Sequence, residues 1–403
     1  MDNTPGQREL KRTKSKRNEL NKLKAAVKSW LLQLIHELAS MDDGSVDSLL
    51  SKLPSSYCIY GTMLLLPCKF FGDPEWVTLM DVVNERQKEE LYLKLNSATN
   101  TTHIAINAPI PNSGLLHEQP EDNAMRKPRN IIAISGSFGP SSASYVNPTA
   151  AEMDEAFWVC TKQNGINQIW SPMYTMFSRG NIAEKARLLR LSSVSEAQNQ
   201  GLEDGAGWSA IDLFAGIGYF AFSYATAGAK TVVCWEINPW SIEGFKRGAK
   251  ANNWETYHVM PQKDIEMTFA KGELNDKQFI MFHESNSHAP KRIEAVREVI
   301  SPIRHVNCGL LPSSVSSWEI ALLCLDYTLG GWLHIHENLD ARAVETQSAL
   351  IVAKIAKISQ QIVISRKDQK GNGVVLEHVH KVKSYAPNVV HCVLDINIIP
   401  GVI

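Results

Sequence analysis

From Leu20 onward the apolar positions Leu20, Leu23, Val27, Trp30, Leu31, Leu34 and Leu38 recur at helical spacing and predict an amphipathic helix. Residues 54–70 form an apolar, strand-like patch centred on Met63-Leu64-Leu65-Leu66-Pro67. Residues 107–130, rich in Pro, Asn and charge, predict a loop or linker, and the Gly/Ser-rich stretch 135–148 predicts a second loop. Order returns over 152–191, with Phe157-Trp158-Val159, Ile169-Trp170 and a helix over 182–191, for which Asn181 is the expected N-cap. From Ala210 the pattern alternates. Strands are predicted at 209–214, 231–236, 279–283, 303–307 and 331–336, with helices at about 217–227, 239–252, 290–300, 316–328 and 340–360. Such alternation implies a mainly parallel sheet. The last two strands, 373–383 and 389–397, are joined through 384–388 and predict an antiparallel hairpin at one edge. The expected divisions are a basic arm and helix (1–50), an N-terminal domain with its linker (51–144), a small α/β connecting element (145–204) and an α/β domain (205–403).

Composition adds little to this picture until its distribution is considered. The 403 residues are 44% hydrophobic and 21% charged, with a net charge of −1, as in a soluble globular protein. No apolar run approaches a membrane span, and the basic, polar N-terminus lacks the apolar core of a secretory signal. Cysteines at 58, 68, 160, 234, 308, 324 and 392 form no C-x-x-C pair. That argues against a zinc site or a disulfide scaffold and fits a cytoplasmic protein. The first 28 residues hold nine Lys/Arg against three acids, a cluster that neutralises phosphates or simply solvates a tail.

The strongest chemical signal is DLFAGIGYF, Asp212 to Phe220, which follows one strand and opens a helix. Gly216 and Gly218 let the backbone approach a ligand and turn into that helix. Glu236 ends the next strand, where a carboxylate accepts bonds from both ribose hydroxyls. Asn238-Pro239 then supplies an N-cap and a proline at the first helical position. The third glycine of a dinucleotide loop is missing, Ala221 and Phe222 standing there instead, and Asp212 precedes the loop. An acid before a short glycine loop suits the amino-acid end of S-adenosyl-L-methionine (AdoMet) better than a pyrophosphate.

Six segments carry a resemblance: YTMFSRGNIAEKARLL (174–189), DLFAGIGYF (212–220), WEINPWSIEGFKRG (235–248), FHESNSHA (282–289), VNCGLLPSS (306–314) and GGWLHIHEN (330–338). Together they resemble the tRNA wybutosine-synthesizing protein 2 family, aminocarboxypropyltransferases related to the tRNA guanine-37 N1-methyltransferases. The resemblance covers residues 145–403 and, weakly, 53–67. It implies a Rossmann-like class I AdoMet-dependent transferase domain (205–403) with an N-terminal α+β extension whose residues 51–144 bind tRNA, acting on the anticodon region of tRNA(Phe) as a monomer. It further implies transfer of the 3-amino-3-carboxypropyl group of AdoMet to 4-demethylwyosine at position 37, with no metal. By position in the family motifs, Ser178, Lys185, Asp212, Phe214, Gly216, Gly218, Glu236, Ile237, Ser285 and Asn286 form the AdoMet set. Arg179, Asn307 and Pro312 form the candidate catalytic set, Arg179 reading equally as a phosphate- or base-orienting group and as an ordinary surface arginine at a helix N-terminus. Ser285 departs from the Asp of relatives, and CGLLPSS lengthens the Asn-Pro-Pro or Asn-Leu-Pro of the methyltransferases, which favours the aminocarboxypropyl branch.

His334, His336 and Glu337 alternate along a strand end, without a third ligand at sensible zinc spacing; a structural role is expected, with His336 a candidate lining of a base pocket. His283, Glu284 and His288 are equally weak as a metal set. Trp170, Trp235, Trp240, Trp318 and Trp332 read as core, and Lys246, Arg247 and Lys250 as a basic helical face. The rival functions are a tRNA guanine-37 N1-methyltransferase and a non-catalytic tRNA-binding scaffold.

Overall fold

The computed structural model describes residues 5–37, 42–108, 125, 128, 130–260, 273–274, 276–326, 328–365 and 372–401, with only the backbone of 5–20. The chain forms two compact units. One comprises Met1–Ala143 with Thr149–Thr161 and Ser171–Met176; the other comprises Ser144–Pro148, Lys162–Trp170 and Phe177–Ile403.

In the first unit, α1 runs from Pro5 to Glu37. The basic arm expected to lead into a helix is itself helical in its backbone, since no Gly or Pro interrupts the sequence after Gly6. Leu23, Val27, Trp30, Leu31 and Leu34 are buried, as their spacing predicts; Leu20 and Leu38 lie outside the residues described at side-chain level. Two short helices follow, α2 (Asp43–Ser51), capped by Asp42, and, after the first two strands, α3 (Pro74–Val82), capped by Asp73. The apolar patch 54–70 is not one strand. It divides into β1 (Cys58–Tyr60) and β2 (Met63–Pro67) at Gly61, which takes a positive φ of 56°. Helix α4 (Glu85–Thr99) opens on a capping box between Asn84 and Gln87 and carries the chain to β3 (His103–Asn107), parallel to β2. β4 (Ile131–Ser135) completes a sheet of order β1-β2-β3-β4. Most of the expected 107–130 linker lies outside the described residues. The unit's core joins α1 to the sheet: Trp30 donates to Gln87 O at 2.8 Å, and its ring stacks 6.5 Å from that of Trp76.

Beyond the short helix α5 (Ala150–Glu155), strands β5 (Val159–Gln163) and β6 (Ile166–Trp170) pair in a two-stranded sheet. Asn164 and Gly165 connect them with φ of 53° and 85°, the left-handed values an Asn-Gly turn supplies.

In the second unit the helix expected over 182–191 ends three residues early, and another begins just beyond it. α6 spans Ile182–Leu188 and α7 spans Ser192–Glu203. Asn181 makes no side-chain cap; its Oδ1 accepts from Ser178 Oγ at 3.3 Å instead. The remaining elements are β7 (Ser209–Asp212), α8 (Ala221–Thr226), β8 (Thr231–Glu236), α9 (Pro239–Ala251), β9 (Thr256–Val259), β10 (Phe279–His283), α10 (Ala289–Val296), β11 (Ile303–Cys308), α11 (Trp318–Cys324), β12 (Gly331–Asp340), α12 (Val344–Ser365), β13 (Gly373–Ala386) and β14 (Val389–Ile399). They build an eight-stranded sheet of order β13-β14-β12-β11-β7-β8-β10-β9. The six strands from β12 to β9 are parallel; β14 is antiparallel to β12, and β13 to β14. This is the Rossmann-like α/β arrangement, with the predicted hairpin at its edge. β9 is an additional edge strand that the hydrophobic pattern did not predict. The strand order reverses beside β7, between β8 and β11, and open α/β sheets bind ligands at such switch points.

Helix α12 is long and apolar enough to cross a membrane by length and composition. Its buried positions Val344, Ser348, Ile351, Ile355, Ser359 and Ile362 share one face at intervals of three and four, and Ile351, Ile355 and Ile362 join the core over the sheet. The five tryptophans read as core are all buried.

Candidate functional site

The glycine loop leaves the end of β7 at the switch point. Gly216 and Gly218 have φ of 55° and 90°, which side-chain-bearing residues rarely adopt. A Cβ on Gly218 would meet the Phe222 ring at 2.5 Å, and one on Gly216 would meet the Tyr219 ring at 3.1 Å. Ala215 N donates to Trp235 O at 3.0 Å, tying the loop to β8. Glu236, the last residue of β8, closes it: Oε2 accepts from Gly216 N at 2.8 Å, while Oε1 accepts from Ile237 N and Asn238 N, each at 2.8 Å. Both carboxylate oxygens are thereby oriented before any ligand arrives. Asn238 accepts from Trp240 N at 2.9 Å, the predicted N-cap of α9, with Pro239 next.

Asp212 is completely buried. Its Oδ1 accepts from Asn307 Nδ2 at 3.2 Å and from Phe214 N at 3.3 Å, whereas Oδ2 is buried without a hydrogen bond. Burial pushes the carboxyl up to about 6, against the Asn307 side chain and the Phe214 and Ala221 backbone groups that favour its charged form. Asn307 is the next-to-last residue of β11, and its carbonyl receives Leu213 N at 3.1 Å, so the adjacent strands lock side chain to side chain and backbone to backbone. Asn286 donates to Leu213 O at 2.9 Å from the turn after β10. Neighbouring Ser285 is exposed, and its hydroxyl is engaged with Ser287.

The CGLLPSS segment follows β11. Pro312 is exposed, follows a cis peptide bond, and accepts at its carbonyl from Asn338 N at 2.9 Å. Glu337 braces the same segment: Oε1 accepts from Ser313 Oγ at 3.0 Å, Ser314 N at 2.7 Å and Ser314 Oγ at 3.1 Å. Sequence reasoning treated Glu337 only as a weak metal ligand. The serines of the segment were the signal for its actual partners.

Ser178 and Lys185 stand on the segment that leads into and along α6, with Arg179 exposed at its turn. Lys185 is buried and donates to Gln163 Oε1 at 2.5 Å and Gln168 Oε1 at 2.6 Å. Its Nζ lies 5.6 Å from the Phe177 ring centre and 5.5 Å from that of Tyr219 in the glycine loop. Phe177 in turn stacks on Trp170 at 3.9 Å. Burial lowers the ammonium pKa to about 7.

Of the sequence-derived residues, the structure brings Asp212, Phe214, Gly216, Gly218, Glu236, Ile237, Asn286 and Asn307 together around one loop, with Lys185 beside Tyr219. His336 does not line an open pocket; it is buried, with Nδ1 3.0 Å from His391 Nε2. His334 lies between His305, 2.9 Å from its Nε2, and Asp395, 2.7 Å from its Nδ1. Glu284 is taken by Arg292 at 2.9 and 2.7 Å. On α9, Lys246 and Arg247 pair with Glu243, leaving Lys250 exposed.

Residues 159–301 match the TRM5/TYW2 methyltransferase domain family. A tRNA wybutosine-synthesizing protein 2 of Schizosaccharomyces pombe is 35% identical over 376 residues, covering 93% of this chain and 78% of the relative. The protein of the same name from Saccharomyces cerevisiae is 32% identical over 423 residues, covering 95% and 82%. Among solved structures, TYW2 of Pyrococcus horikoshii in complex with MeSAdo matches with a TM-score of 0.54 at 15% identity, over 93% of this chain and 99% of that one. That last match is a likeness of fold.

Proposed function

The chain belongs to the tRNA wybutosine-synthesizing protein 2 family, and from that premise we propose that it transfers the 3-amino-3-carboxypropyl group of AdoMet to C7 of 4-demethylwyosine at position 37 of tRNA(Phe). The observation that carries this reading is the glycine loop at the switch point, closed by Glu236 on Gly216 and locked by Asn307 on Asp212. In this reading Glu236 takes the ribose hydroxyls, with Ile237, Ser285 and Asn286 beside the adenine. Phe214, Gly216 and Gly218 run along the adenosyl and methionine portions, and Ser178, Lys185 and Asp212 stand at the amino-acid end. Arg179, Asn307 and Pro312 face the base. A sulfonium activates all three of its carbons, so the protein's task is to place Cγ rather than the methyl in line with C7. The C7 electron pair forms the new C–C bond, the Cγ–S bond breaks with its pair going to sulfur, 5′-methylthioadenosine leaves and C7 loses its proton. The same reading takes the anticodon region of tRNA as partner, the helical basic arm as a phosphate-contacting element, and a cytoplasmic monomer as the working form.

Incubation with AdoMet and tRNA(Phe) carrying 4-demethylwyosine is expected to release 5′-methylthioadenosine and to add the mass of the aminocarboxypropyl group to the nucleoside. S-adenosylhomocysteine with a methyl-sized increment would replace this reading with methyl transfer. Glu236→Ala is expected to weaken AdoMet binding roughly tenfold or more, the worth of hydrogen bonds to a charged acceptor. Calorimetric titration checks it; an unchanged affinity, with the fold intact by circular dichroism, removes Glu236 from the site.

A further inference from the structure

Two ammonium groups flank the Ser178 segment, and among the described residues no carboxylate pairs with either. Lys185 meets only amide oxygens and aromatic rings. Lys383, half-buried on β13, reaches back and donates to Ser178 Oγ at 2.9 Å. Its stem lies across Gly180: a Cβ there would stand 2.8 Å from Lys383 Cδ and 3.0 Å from Nζ. The backbone at Gly180 is not left-handed, so the glycine serves to leave room for the lysine rather than to make a turn. Lys383 is also joined to the glycine loop from the other side. Its cross-strand partner is His391. His391 bonds His336, whose ring lies 4.9 Å from Phe220. Burial lowers the pKa of both ammonium groups. Keeping a partly desolvated cation without a counter-charge is costly, and an anionic ligand removes that cost.

We propose that Lys383 and Ser178 together bind the α-carboxylate of the donor's methionine portion, making Lys383 a donor-binding residue beside Lys185. This rests on the reading that AdoMet is the donor. The carboxylate is connected to Cγ through Cα and Cβ, whereas the methyl hangs on sulfur alone. Anchoring the carboxylate therefore orients Cγ directly. The contact travels with the transferred group and is absent from 5′-methylthioadenosine, and this difference supplies the test.

Full-length protein, wild type and variants, is titrated with AdoMet, S-adenosylhomocysteine and 5′-methylthioadenosine. Lys383→Met is expected to weaken the first two roughly tenfold or more and to leave the third within about twofold. Lys383→Arg retains most of the affinity for all three, and Gly180→Ala, which displaces the lysine stem, repeats the Lys383→Met selectivity in weaker form. Retained 5′-methylthioadenosine binding shows that the site is folded in each variant. Equal weakening of all three ligands, or no weakening of AdoMet, overturns the assignment. A loss confined to tRNA affinity, with a shallower salt dependence, overturns it in favour of a phosphate contact. The product nucleoside is measured separately. If wild type transfers methyl, the aminocarboxypropyl reading fails while these titrations still decide the role of Lys383.

Discussion

Replacing Arg187 with methionine is expected to lower the unfolding free energy by about 3–5 kcal/mol, the cost of leaving buried carboxylates without their partner. Arg187 joins α6 to the far side of the sheet. Its Nη1 and Nη2 donate to Asp395 at 2.5 and 3.1 Å, and its Nε and Nη2 donate to Glu184 at 2.8 and 2.7 Å. Glu184 and Asp395 are both buried, and Asp395 also meets His334. His334 and Arg187 together hold the Asp395 carboxyl well below the usual carboxylate range despite its burial. Removing the guanidinium takes the permanently charged partner from two buried acids and leaves them only His334 and His380. Urea unfolding at neutral pH measures the loss, and a change below about 1 kcal/mol, typical of exposed ion pairs, would show the network to be worth no more than a surface bridge. The double variant Arg187→Met with Asp395→Leu is expected to recover part of the loss, because it removes one of the stranded charges. Donor affinity should fall in the single variant too, since Lys185 lies on the same short helix.

Gly218→Ala is expected to cost at least tenfold in AdoMet affinity and about 1–3 kcal/mol in stability, from strain at a left-handed position and overpacking beneath it. The φ there is 90°, and the new methyl would stand 2.5 Å from the ring of Phe222. Phe222 is fully buried and packs on Phe245, Trp254 and Phe279 with ring centres 4.8, 5.3 and 5.4 Å away, so it has no room to retreat. The loop itself must shift, carrying with it Gly216 N, the donor to Glu236. Titration calorimetry and thermal unfolding together test this. Wild-type affinity in the alanine variant would mean that the loop backbone does not hold the donor.

The parallel sheet was legible because strand and helix periodicities are local properties. β7, β8, β10, β11 and β12 each hold a short apolar run bounded by turn residues, and β7, its glycine loop and Glu236 follow one another within a few tens of residues. The Asn238-Pro239 cap was readable for the same reason: a cap is chemistry between immediate neighbours. β9 was not legible, because Thr256–Val259 is short, half-buried and at an edge, so no apolar run announces it. The early end of the 182–191 helix at Leu188 also escaped, as did the bond of Asn181 to Ser178 in place of an N-cap.

By itself, then, the sequence determined the order of elements, the nature of the glycine loop, the acid that closes it and the amphipathic face of α1. Each depends on residues close in the chain, whose spacing and stereochemistry act before any tertiary contact forms. Tertiary structure alone decided that Asp212 meets Asn307, that Glu337 braces Ser313 and Ser314, that Arg187 pairs with Asp395 and that Lys383 lies over Gly180. Asp212 and Asn307 are 95 residues apart, Glu337 is 24 and 23 from Ser313 and Ser314, Arg187 is 208 from Asp395, and Lys383 reaches Ser178 across 205. Sheet order and strand register bring them together: a one-residue slip in β14 would turn Asp395 away from Arg187, and one in β13 would turn Lys383 away from Ser178.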